Sequence, residues 1–390
     1  KLDLSSIDSF LKLKNITSPK SIFENTWKLD PGKYLILDIH TLDFKIKSYW
    51  SIEEVIKTKK FSNNFNNINH IENAENLLKN SIKNQLISDR PIGCFLSGGV
   101  DSSVITSLAS NISENKIKTF TIGFNDARFN EADIAKKIAK KLNTDHHEYY
   151  FNEKELLDNI SKIPEIYDEP FSDSSQLPTI LLCQKTKKHV TVALSGDGGD
   201  ELFGGYNRYH FVKKYWPYIK LLPHSLRKKI SNLLIFCNKK IFNLIIKKLE
   251  FIFSKSNSSP LNLQNLISKS IHSFSAKNEK ILFENLVSDG FDDGLLINSN
   301  NKNLELYKEN NDLNLNTSEN FMYNDFINYF HNDIMTKVDR ASMNSSLETR
   351  TPFMDKNLIE FCWIDIRGNN DLRSKKYILK KILEKYLPKN

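Results

Sequence analysis

The chain has 390 residues, of which 39% are hydrophobic and 26% are charged, a balance typical of folded globular proteins and not of disordered ones. This length is sufficient for two or three domains with their own hydrophobic cores. No segment approaches the roughly 18 consecutive apolar residues of a spanning helix, and the lysines behind the net charge of +8 are dispersed, so neither a membrane nor a nucleic acid is an expected partner.

Cysteine usage and the first residues indicate the cellular setting. The four cysteines, Cys94, Cys183, Cys237 and Cys362, form no C-x-x-C pair, which argues against a disulfide framework or a zinc site. We expect them to be small, reduced core residues of a cytoplasmic protein. The chain begins with Lys1 and no basic-then-apolar targeting segment, so we interpret it as a fragment or a processed form.

The first 60 residues have the features of the end of a domain. Pro19 and Pro31-Gly32 are turn signals, and the apolar run from Tyr34 to Leu37 predicts a short buried strand. The asparagine-rich residues 62–69 predict a linker. We therefore divide the chain into residues 1–60 and residues 61–390.

From about residue 71 the hydrophobic pattern alternates between helical and strand periodicity. Helices are predicted at residues 71–86, 132–142 and 177–187, and buried strands at residues 91–96, 119–124, 147–151 and 189–194. In the helix at 132–142, Ile134, Ile138 and Leu142 fall on one apolar face. This alternation predicts an α/β fold with a parallel twisted sheet and flanking helices.

The remainder of the chain is mainly helical in pattern. Residues 211–295 are rich in lysine, with breaks at Pro217, Pro223 and Pro260, and they predict a largely helical accessory region that extends to about residue 320. We interpret its lysines as solvated helix faces, and an anionic partner is the alternative. Helix-like spacing returns from Phe321 onward.

A glycine-bearing loop, Ser97-Gly98-Gly99-Val100-Asp101-Ser102-Ser103, lies between a predicted buried strand and a predicted helix. Its glycines allow the backbone to approach a phosphate closely, and the positive end of the helix dipole adds attraction. The Gly-Lys-Ser/Thr ending of kinase and GTPase loops is absent. Because Asp101 would repel a bare phosphate, its presence predicts Mg²⁺ between this carboxylate and the phosphate oxygens.

A second loop, residues 195–206, follows the strand predicted at 189–194 and reads Ser-Gly-Asp-Gly-Gly-Asp-Glu-Leu-Phe-Gly-Gly-Tyr. Its carboxylates at Asp197, Asp200 and Glu201 repel one another unless a cation relieves them. One of them can hold Mg²⁺ with substrate phosphates while another takes up a proton. Both loops are expected at the carboxyl edge of the sheet, where open α/β sheets bind ligands.

These motifs resemble those of a known family. Residues 97–102 resemble the pyrophosphate loop of the adenylating amidotransferases. Residues 194–206, together with residues 337–343 (Lys-Val-Asp-Arg-Ala-Ser-Met) and 346–355 (Ser-Leu-Glu-Thr-Arg-Thr-Pro-Phe-Met-Asp), resemble the synthetase domain of the asparagine synthetase B family. The resemblance runs in order from about Ile71 to Leu387, and it implies the pyrophosphate-loop fold of the adenine nucleotide alpha hydrolases.

The resemblance implies an ATP-dependent ligase with Mg²⁺ as its metal. In this family aspartate is converted to asparagine through a β-aspartyl-adenylate, AMP and pyrophosphate are released, and the nitrogen is ammonia supplied by glutamine. By the same resemblance, pyrophosphate is held by residues 97–102 and Mg²⁺ by Asp101 and Asp200.

The resemblance also assigns individual residues. The nucleotide would contact Leu96, Ser97, Gly98, Gly99, Asp101, Ser102, Ile122, Ser195 and Gly196. Asp197, where some members carry glutamate, would act as a general acid or base or as a ligand near the attacking ammonia. Lys376 matches the family's lysine that neutralises charge developing at the α-phosphate. The charged residues that would position the amino acid or form structural ion pairs are Lys337, Asp339, Arg340, Glu348 and Arg350.

Residues 18–23, 28–32 and 49–50 resemble the end of the family's glutaminase domain, which implies that residues 1–60 are the C-terminal remnant of that domain. The family's glutaminase uses an N-terminal cysteine as its nucleophile. None of the four cysteines occupies such a position. This chain alone is therefore not expected to hydrolyse glutamine.

Two other functions stay open from the sequence. One is a sister amidotransferase that acts on another carboxylate, such as a sugar acid or a β-lactam precursor, because motifs do not report the shape of the substrate pocket. The other is a non-catalytic scaffold, although a scaffold has no need of Asp101, Asp197, Asp200 and Lys376 together. A homodimer is the candidate assembly, which the sequence does not decide.

Overall fold

The computed structural model describes residues 1–58, 70–124, 130–236, 269–288, 306–309, 311–369 and 372–387. The linker predicted at residues 62–69 lies outside these ranges, as do Cys237 and parts of the accessory region predicted between residues 211 and 320.

The first 58 residues form a helix, a hairpin and a second helix. Helix α1 (Leu4–Leu13) begins after Asp3, whose carboxylate accepts hydrogen bonds from the backbone N–H groups of Ser5 and Ser6. Strands β1 (Lys33–Leu37) and β2 (Phe44–Ser48) pair antiparallel, and helix α2 (Ile52–Thr58) follows.

The hairpin corrects one expectation from the sequence. Residues 34–37 do form a strand, but every residue of β1 and β2 is exposed and none is buried. An isolated two-stranded ribbon has no second layer to cover its faces, and so its apolar side chains lie in solvent. The apolar run therefore predicted the strand correctly but its burial wrongly.

A five-stranded parallel sheet forms the centre of the described chain. Its strands, in spatial order, are Asp145–Phe151 (β5), Lys118–Phe124 (β4), Ile92–Phe95 (β3), Val192–Leu194 (β6) and Glu348–Arg350 (β7). This arrangement confirms the predicted α/β fold with a parallel sheet and flanking helices.

Helices pack on both faces of this sheet. The described helices after α2 are α3 (His70–Gln85), α4 (Val100–Ile112), α5 (Ala132–Lys141), α6 (Glu153–Ile160), α7 (Ile163–Tyr167), α8 (Gln176–Thr186), α9 (Gly199–Phe203), α10 (Asn207–Ile219), α11 (His224–Phe236), α12 (Glu279–Val287), α13 (Thr317–Asn324), α14 (Thr336–Asn344), α15 (Lys356–Ile364) and α16 (Tyr377–Tyr386). A π-helix (Asp325–Met335) joins α13 to α14.

Two hydrophobic clusters correspond to the two faces of the sheet. In one, Leu78 of α3 and Ile378 of α16 belong to the same buried cluster as Cys94 of β3. In the other, Phe120 of β4 packs in a cluster with Ile180 of α8. Full burial of a large apolar side chain contributes roughly 1.5–3 kcal/mol, so these clusters hold the helices against the sheet.

Helix α5 occupies the predicted position, but alanines form the most buried part of its surface and one of the predicted apolar residues is exposed. Its buried residues are Ala132, Ala135 and Ala139, whereas Ile134, predicted on the apolar face, is 52% exposed. Helix α5 lies close to the loop after β3, where a Cβ built on Gly98 would lie 3.1 Å from Ile134 Cβ and 3.2 Å from the backbone nitrogen of Ala135. Ile138 of the predicted face is partly buried against Ala135 and Ala139, so the buried face lies beside the predicted one.

Strand β7 is an addition to the predicted sheet. It lies inside the motif at residues 346–355, and Thr349 pairs with Ala193 of β6 in parallel register. A strand of three residues is too short for periodicity to separate it from a loop. The pairing fixes the third motif at the edge of the sheet beside β6.

The described cysteines are core residues, as expected. Cys94, Cys183 and Cys362 are buried free thiols. Burial raises the pKa of each thiol to about 12, so they are protonated and unreactive near neutral pH. Within the described ranges no helix combines the length and apolar character needed to cross a membrane.

A buried carboxylate joins α16 to α3. Glu75 is 5% exposed, accepts hydrogen bonds from Lys385 Nζ (2.5 Å) and Tyr386 Oη (2.6 Å), and pairs with Lys79 Nζ at 2.8 Å. Burial raises the pKa of Glu75, but these donors outweigh burial and hold the pKa at about 2.

We expect Glu75→Gln to lower the free energy of unfolding by roughly 2 kcal/mol at pH 7, because it removes a charge that three donors share. The folded-state pKa lies below the ordinary value of 4.5, so this contribution is present above that pH and is lost as the pH falls towards 2. Denaturant unfolding at pH 7 and pH 3 measures the loss of unfolding free energy at each pH. Glu72→Gln, at an exposed position of the same helix, is the control. An equal loss at both pH values would contradict the assignment.

Candidate functional site

One cavity of about 460 Å³ lies at the carboxyl edge of the sheet. Strands β3 and β6 are hydrogen-bonded neighbours, so the two loops that follow them leave the sheet side by side. The cavity is lined by both loops and by residues from α8, α14 and the start of α16. Its lining includes Ser97, Gly99, Asp101, Ser102, Ser175, Thr179, Ser195, Gly196, Asp197, Asp200, Lys337 and Lys376.

The loop after β3 is shaped to present backbone donors. Gly98 has a φ of +85°, which L side chains rarely adopt. Ser97 Oγ lies 3.0 Å from Ser102 Oγ, and Ser103 Oγ donates to the carbonyl oxygen of Gly99 at 2.6 Å, which closes the turn. Helix α4 then begins without a side-chain cap, so the N–H groups of its first turn are available to an anion.

Two glycines of the second loop allow the loops to touch. A Cβ on Gly196 would lie 2.7 Å from the backbone nitrogen of Ser102, and a Cβ on Gly199 would lie 2.5 Å from Asp101 Cγ. Both distances are shorter than real Cβ contacts. Glycine at these positions is therefore what brings Asp101 against the second loop.

Lys376 lies between the two carboxylates predicted to bind metal. Its Nζ is 2.6 Å from Asp101 Oδ2 and 2.8 Å from Asp200 Oδ1. Burial raises the pKa of Asp101 to about 6; Lys376 opposes this rise, and Asp200 adds to it. Burial lowers the pKa of Lys376, but the two carboxylates outweigh burial and raise it. One charged lysine is thus held by two acidic groups.

The donor set fits Mg²⁺ shared with a bound ligand. Asp101 Oδ1 is buried without a hydrogen-bond partner in the described part of the chain, and Asp200 faces the same cavity. Mg²⁺ prefers hard oxygen ligands and is usually bound by one or two carboxylates together with phosphate oxygens and waters. Among the described residues no group of three or more His, Cys, Asp or Glu side chains is arranged for a metal, so ligand oxygens would complete the coordination.

Asp197 lies in the second loop beside Ser195. Its Oδ2 accepts a hydrogen bond from Ser195 Oγ. Burial raises the pKa of Asp197, although the hydrogen bond from Ser195 and the charge of Lys337 oppose the shift. A carboxyl group with a raised pKa exchanges protons nearer neutral pH than an ordinary one. This environment suits an acid or base, and that role stays a prediction.

The charged residues of the third motif separate into two groups. Lys337 is a lining residue of the cavity, but Asp339, Arg340, Glu348 and Arg350 are absent from its described lining. Arg350 pairs with Glu348 at 2.6 Å and donates to the backbone carbonyls of Gln85 and Ile87 at the C-terminal end of α3. Arg340 forms a surface ion pair with an exposed aspartate. These two arginines have structural partners.

Three residues predicted to contact the nucleotide do not line the cavity: Leu96, Gly98 and Ile122. Leu96 is buried, and its carbonyl oxygen accepts a hydrogen bond from Thr121 Oγ1. Gly98 packs against α5, and Ile122 is half-buried within β4. Their contacts with a nucleotide stay predictions.

Several lining residues carried no predicted role. Ser175 and Thr179 come from the start of α8. The polar run at residues 172–175 before that helix is the sequence feature that could have indicated them. Tyr206 also lines the cavity without a predicted role, and its Oη donates at 2.6 Å to Oε1 of Glu201, one of the three carboxylates noted in the second loop. This bond joins helix α9, in the middle of the second loop, to the last residue of the loop.

Arg208 links the second loop to the π-helix. The guanidinium carbon of Arg208 lies 4.0 Å from the ring centroid of Tyr206, and Arg208 Nε donates to Asp325 Oδ2 at 2.6 Å. Asp325 is fully buried at the start of the π-helix. The second loop is therefore fixed to the π-helix, which leads directly into α14 and Lys337.

Comparisons with known proteins agree on one family. The sequence model described as asparagine synthase matches residues 73–390. A putative glutamine-hydrolyzing asparagine synthetase 2 of Methanocaldococcus jannaschii is 33% identical over 65% of this chain and 50% of its own length. The glutamine-hydrolyzing asparagine synthetases 1 and 3 of Bacillus subtilis are each 26% identical, over 100% and 95% of this chain and 57% and 54% of their own lengths. The chain spans about half the length of these relatives.

The contact between the loops predicts unequal effects of two glycine substitutions. We expect Gly196→Ala to lower the free energy of unfolding by roughly 1–3 kcal/mol, because its Cβ would meet the backbone of Ser102. Gly99→Ala is the matched control with a smaller loss, since the nearest atom to its Cβ is Ser97 Oγ at 3.3 Å. Urea denaturation of both variants measures the difference, and a larger loss at Gly99 would show that the loops do not touch as described.

Proposed function

The chain belongs to the asparagine synthase family, and from this premise we propose that it amidates aspartate to asparagine with ATP, through a β-aspartyl-adenylate. The observation that carries the proposal is the meeting of two phosphate-suited loops around Lys376, which holds Asp101 and Asp200 within 2.8 Å. The names of the relatives support a carbon–nitrogen ligase, and the finer assignments below rest on the geometry of the cavity.

The phosphates of ATP lie against the loop after β3 in this proposal. The uncapped first turn of α4 supplies backbone N–H groups, and Ser97 and Ser102 supply hydroxyl groups. Lys376 adds a fixed positive charge next to them. Donors placed in advance around developing charge stabilise a transition state without reorganisation. The nucleoside lies towards Ser195 and Gly196 at the end of β6.

Asp101 and Asp200 would hold Mg²⁺, which when bound supplies positive charge to the pyrophosphate leaving group. Asp101 would contribute the buried oxygen that has no partner among the described residues. The other oxygen of Asp101 stays with Lys376, so the carboxylate is oriented from one side.

The reaction proposed has two displacements. An oxygen of the aspartate β-carboxylate forms a bond to the α-phosphorus as the bond to pyrophosphate breaks. Ammonia then forms a bond to the acyl carbon, loses a proton, and displaces AMP. Asp197 is the proposed acceptor of that proton, because its raised pKa makes it a better base than an ordinary carboxylate.

Residues 1–60 belong, in this proposal, to a glutaminase domain, and residues 61–390 to the synthetase domain. Two observations support it: the relatives are named as glutamine-hydrolyzing, and the apolar side chains of β1 and β2 are exposed on both faces of the hairpin. Ile36, Leu37 and Phe44 are 48%, 49% and 62% exposed, as expected of strands that pack in a larger sandwich. A cytoplasmic location is proposed with it, supported by the free thiols.

A product analysis tests the reaction. The chain is incubated with ATP, Mg²⁺, aspartate and ammonium, and AMP, pyrophosphate and asparagine are quantified together. We expect the three products in equal amounts. Formation of ADP would overturn the adenylate mechanism, whereas AMP release with another carboxylic acid but not with aspartate would move the protein to a sister amidotransferase.

The position of Lys376 predicts a large kinetic effect. We expect Lys376→Met to lower kcat/KM for AMP release by roughly 100-fold, because it removes the charge that the phosphates and both carboxylates share. Lys380→Met, which removes an exposed lysine one turn later on α16, is the matched control and should retain activity. Steady-state AMP release and thermal unfolding of both variants are the measurements. Similar activity in the two variants at similar stability would contradict the role of Lys376.

A further inference from the structure

Lys337 provides a second cation in the cavity, remote in sequence from Lys376. It comes from α14, is 8% exposed, and is one of two lysines among the described residues that line the cavity. Its Nζ donates to Ser175 Oγ at 2.9 Å and lies 3.3 Å from Asp173 Oδ1. None of these partners belongs to either phosphate-suited loop.

The surroundings of Lys337 hold its side chain in one position. Asp173 accepts a hydrogen bond from the backbone N–H of Ser175 at 2.7 Å, and Tyr167 Oη donates to the carbonyl oxygen of Lys337 at 3.4 Å. Burial raises the pKa of Asp173, but Lys337 and Ser175 outweigh burial and lower it, so Asp173 is a carboxylate. The ion pair between Lys337 and the half-buried Asp173 orders both side chains.

The hydrogen-bond inventory of Lys337 leaves room for a ligand. An ammonium group has three N–H donors, and the described contacts of Lys337 use two of them, on Ser175 and Asp173. Lys337 lines the cavity beside the start of α8, where a bound anion would meet its third donor. The positive end of that eleven-residue helix adds to the attraction for an anion.

The two lysines mark two anion positions. Lys376 is engaged with Asp101 and Asp200, next to the loop suited to phosphates. Phosphate binding next to Lys376 therefore does not engage Lys337, whose charge instead acts on Asp173 and Asp197. In a substrate with two carboxylates, only one is activated. The other would be buried without a counter-charge unless a second cation such as Lys337 pairs with it.

We propose that Lys337 binds the carboxylate of the amino-acid substrate that is not activated, and thereby selects dicarboxylic amino acids over monocarboxylic ones. The inference rests on the proposed function and deepens it. Asp173 and Ser175 position the ammonium group, and Lys337 itself contacts the substrate.

Substrate truncation tests this role. L-Aspartate is compared with 3-aminopropanoate, which keeps the amino group and the carboxylate to be activated but lacks the second carboxylate. We expect Lys337→Met to lower kcat/KM for AMP release by roughly 100-fold with aspartate, while changing it less than about threefold with 3-aminopropanoate. The KM for ATP should be unchanged. Lys337→Arg, which keeps the charge, should recover part of the preference for aspartate.

Two further variants serve as a control and as a substitute for the single variant. Arg340→Met removes an exposed cation from the same helix and should leave the preference intact. The double variant Asp173→Asn, Lys337→Met removes both charges of the ion pair, so it provides the same comparison if the single variant does not fold.

The outcomes separate this inference from the proposed function. Failure of the unsubstituted chain to release AMP with aspartate would overturn the proposed function. AMP release that Lys337→Met lowers equally for both acids, or a raised KM for ATP, would overturn the inference alone.

Discussion

The parallel pairing of β3 with β6 is the constraint on which the candidate site depends. Both strands run in the same direction, so the chain leaves both at the same edge and the two loops must share one space. Glycines at 196 and 199 then allow backbone to lie against Ser102 and Asp101. The site is built by the contact of two loops that are about 100 residues apart in the chain.

Charge balance is the second determinant of the cavity. Its described lining contains five carboxylate side chains, at Asp101, Glu131, Asp197, Asp200 and Glu201, and two lysines. Such a set is unfavourable in a buried space unless cations and hydrogen-bond donors are distributed among the carboxylates. Lys376 from the start of α16 pairs with Asp101 and Asp200, while Lys337 from α14 pairs with Asp173 outside the lining and acts on Asp197 through its charge. The placement of these two helices therefore decides where anionic groups of a substrate are stable.

The N-terminal segment contacts the residues before α8, which include Asp173 and Ser175. The backbone N–H of Ser172 donates to the carbonyl oxygen of Lys14 at 2.9 Å, and the backbone N–H of Ser18 donates to Asn332 Oδ1 at 2.9 Å. Lys28 also forms an ion pair with Glu169. The residues proposed to belong to a glutaminase domain thus contact both the segment before α8 and the π-helix before α14.

The sequence by itself determined the parallel α/β sheet, the two glycine loops and the acidic residues within them, because these features depend on local periodicity and on the backbone freedom of glycine. It identified β1 as a strand but not its exposure, and it placed Ile134 on the apolar face of α5, where the structure exposes that residue and buries the neighbouring alanines. Only the tertiary structure decided that β7 extends the sheet, that Lys337 lines the cavity while Arg340 and Arg350 have structural partners, and that Lys376 lies between Asp101 and Asp200. In a lysine-rich chain every lysine has the same local chemistry. What distinguishes one from another is the set of carboxylates and donors that packing brings within about 3 Å of its nitrogen, and those come from residues more than 150 positions away.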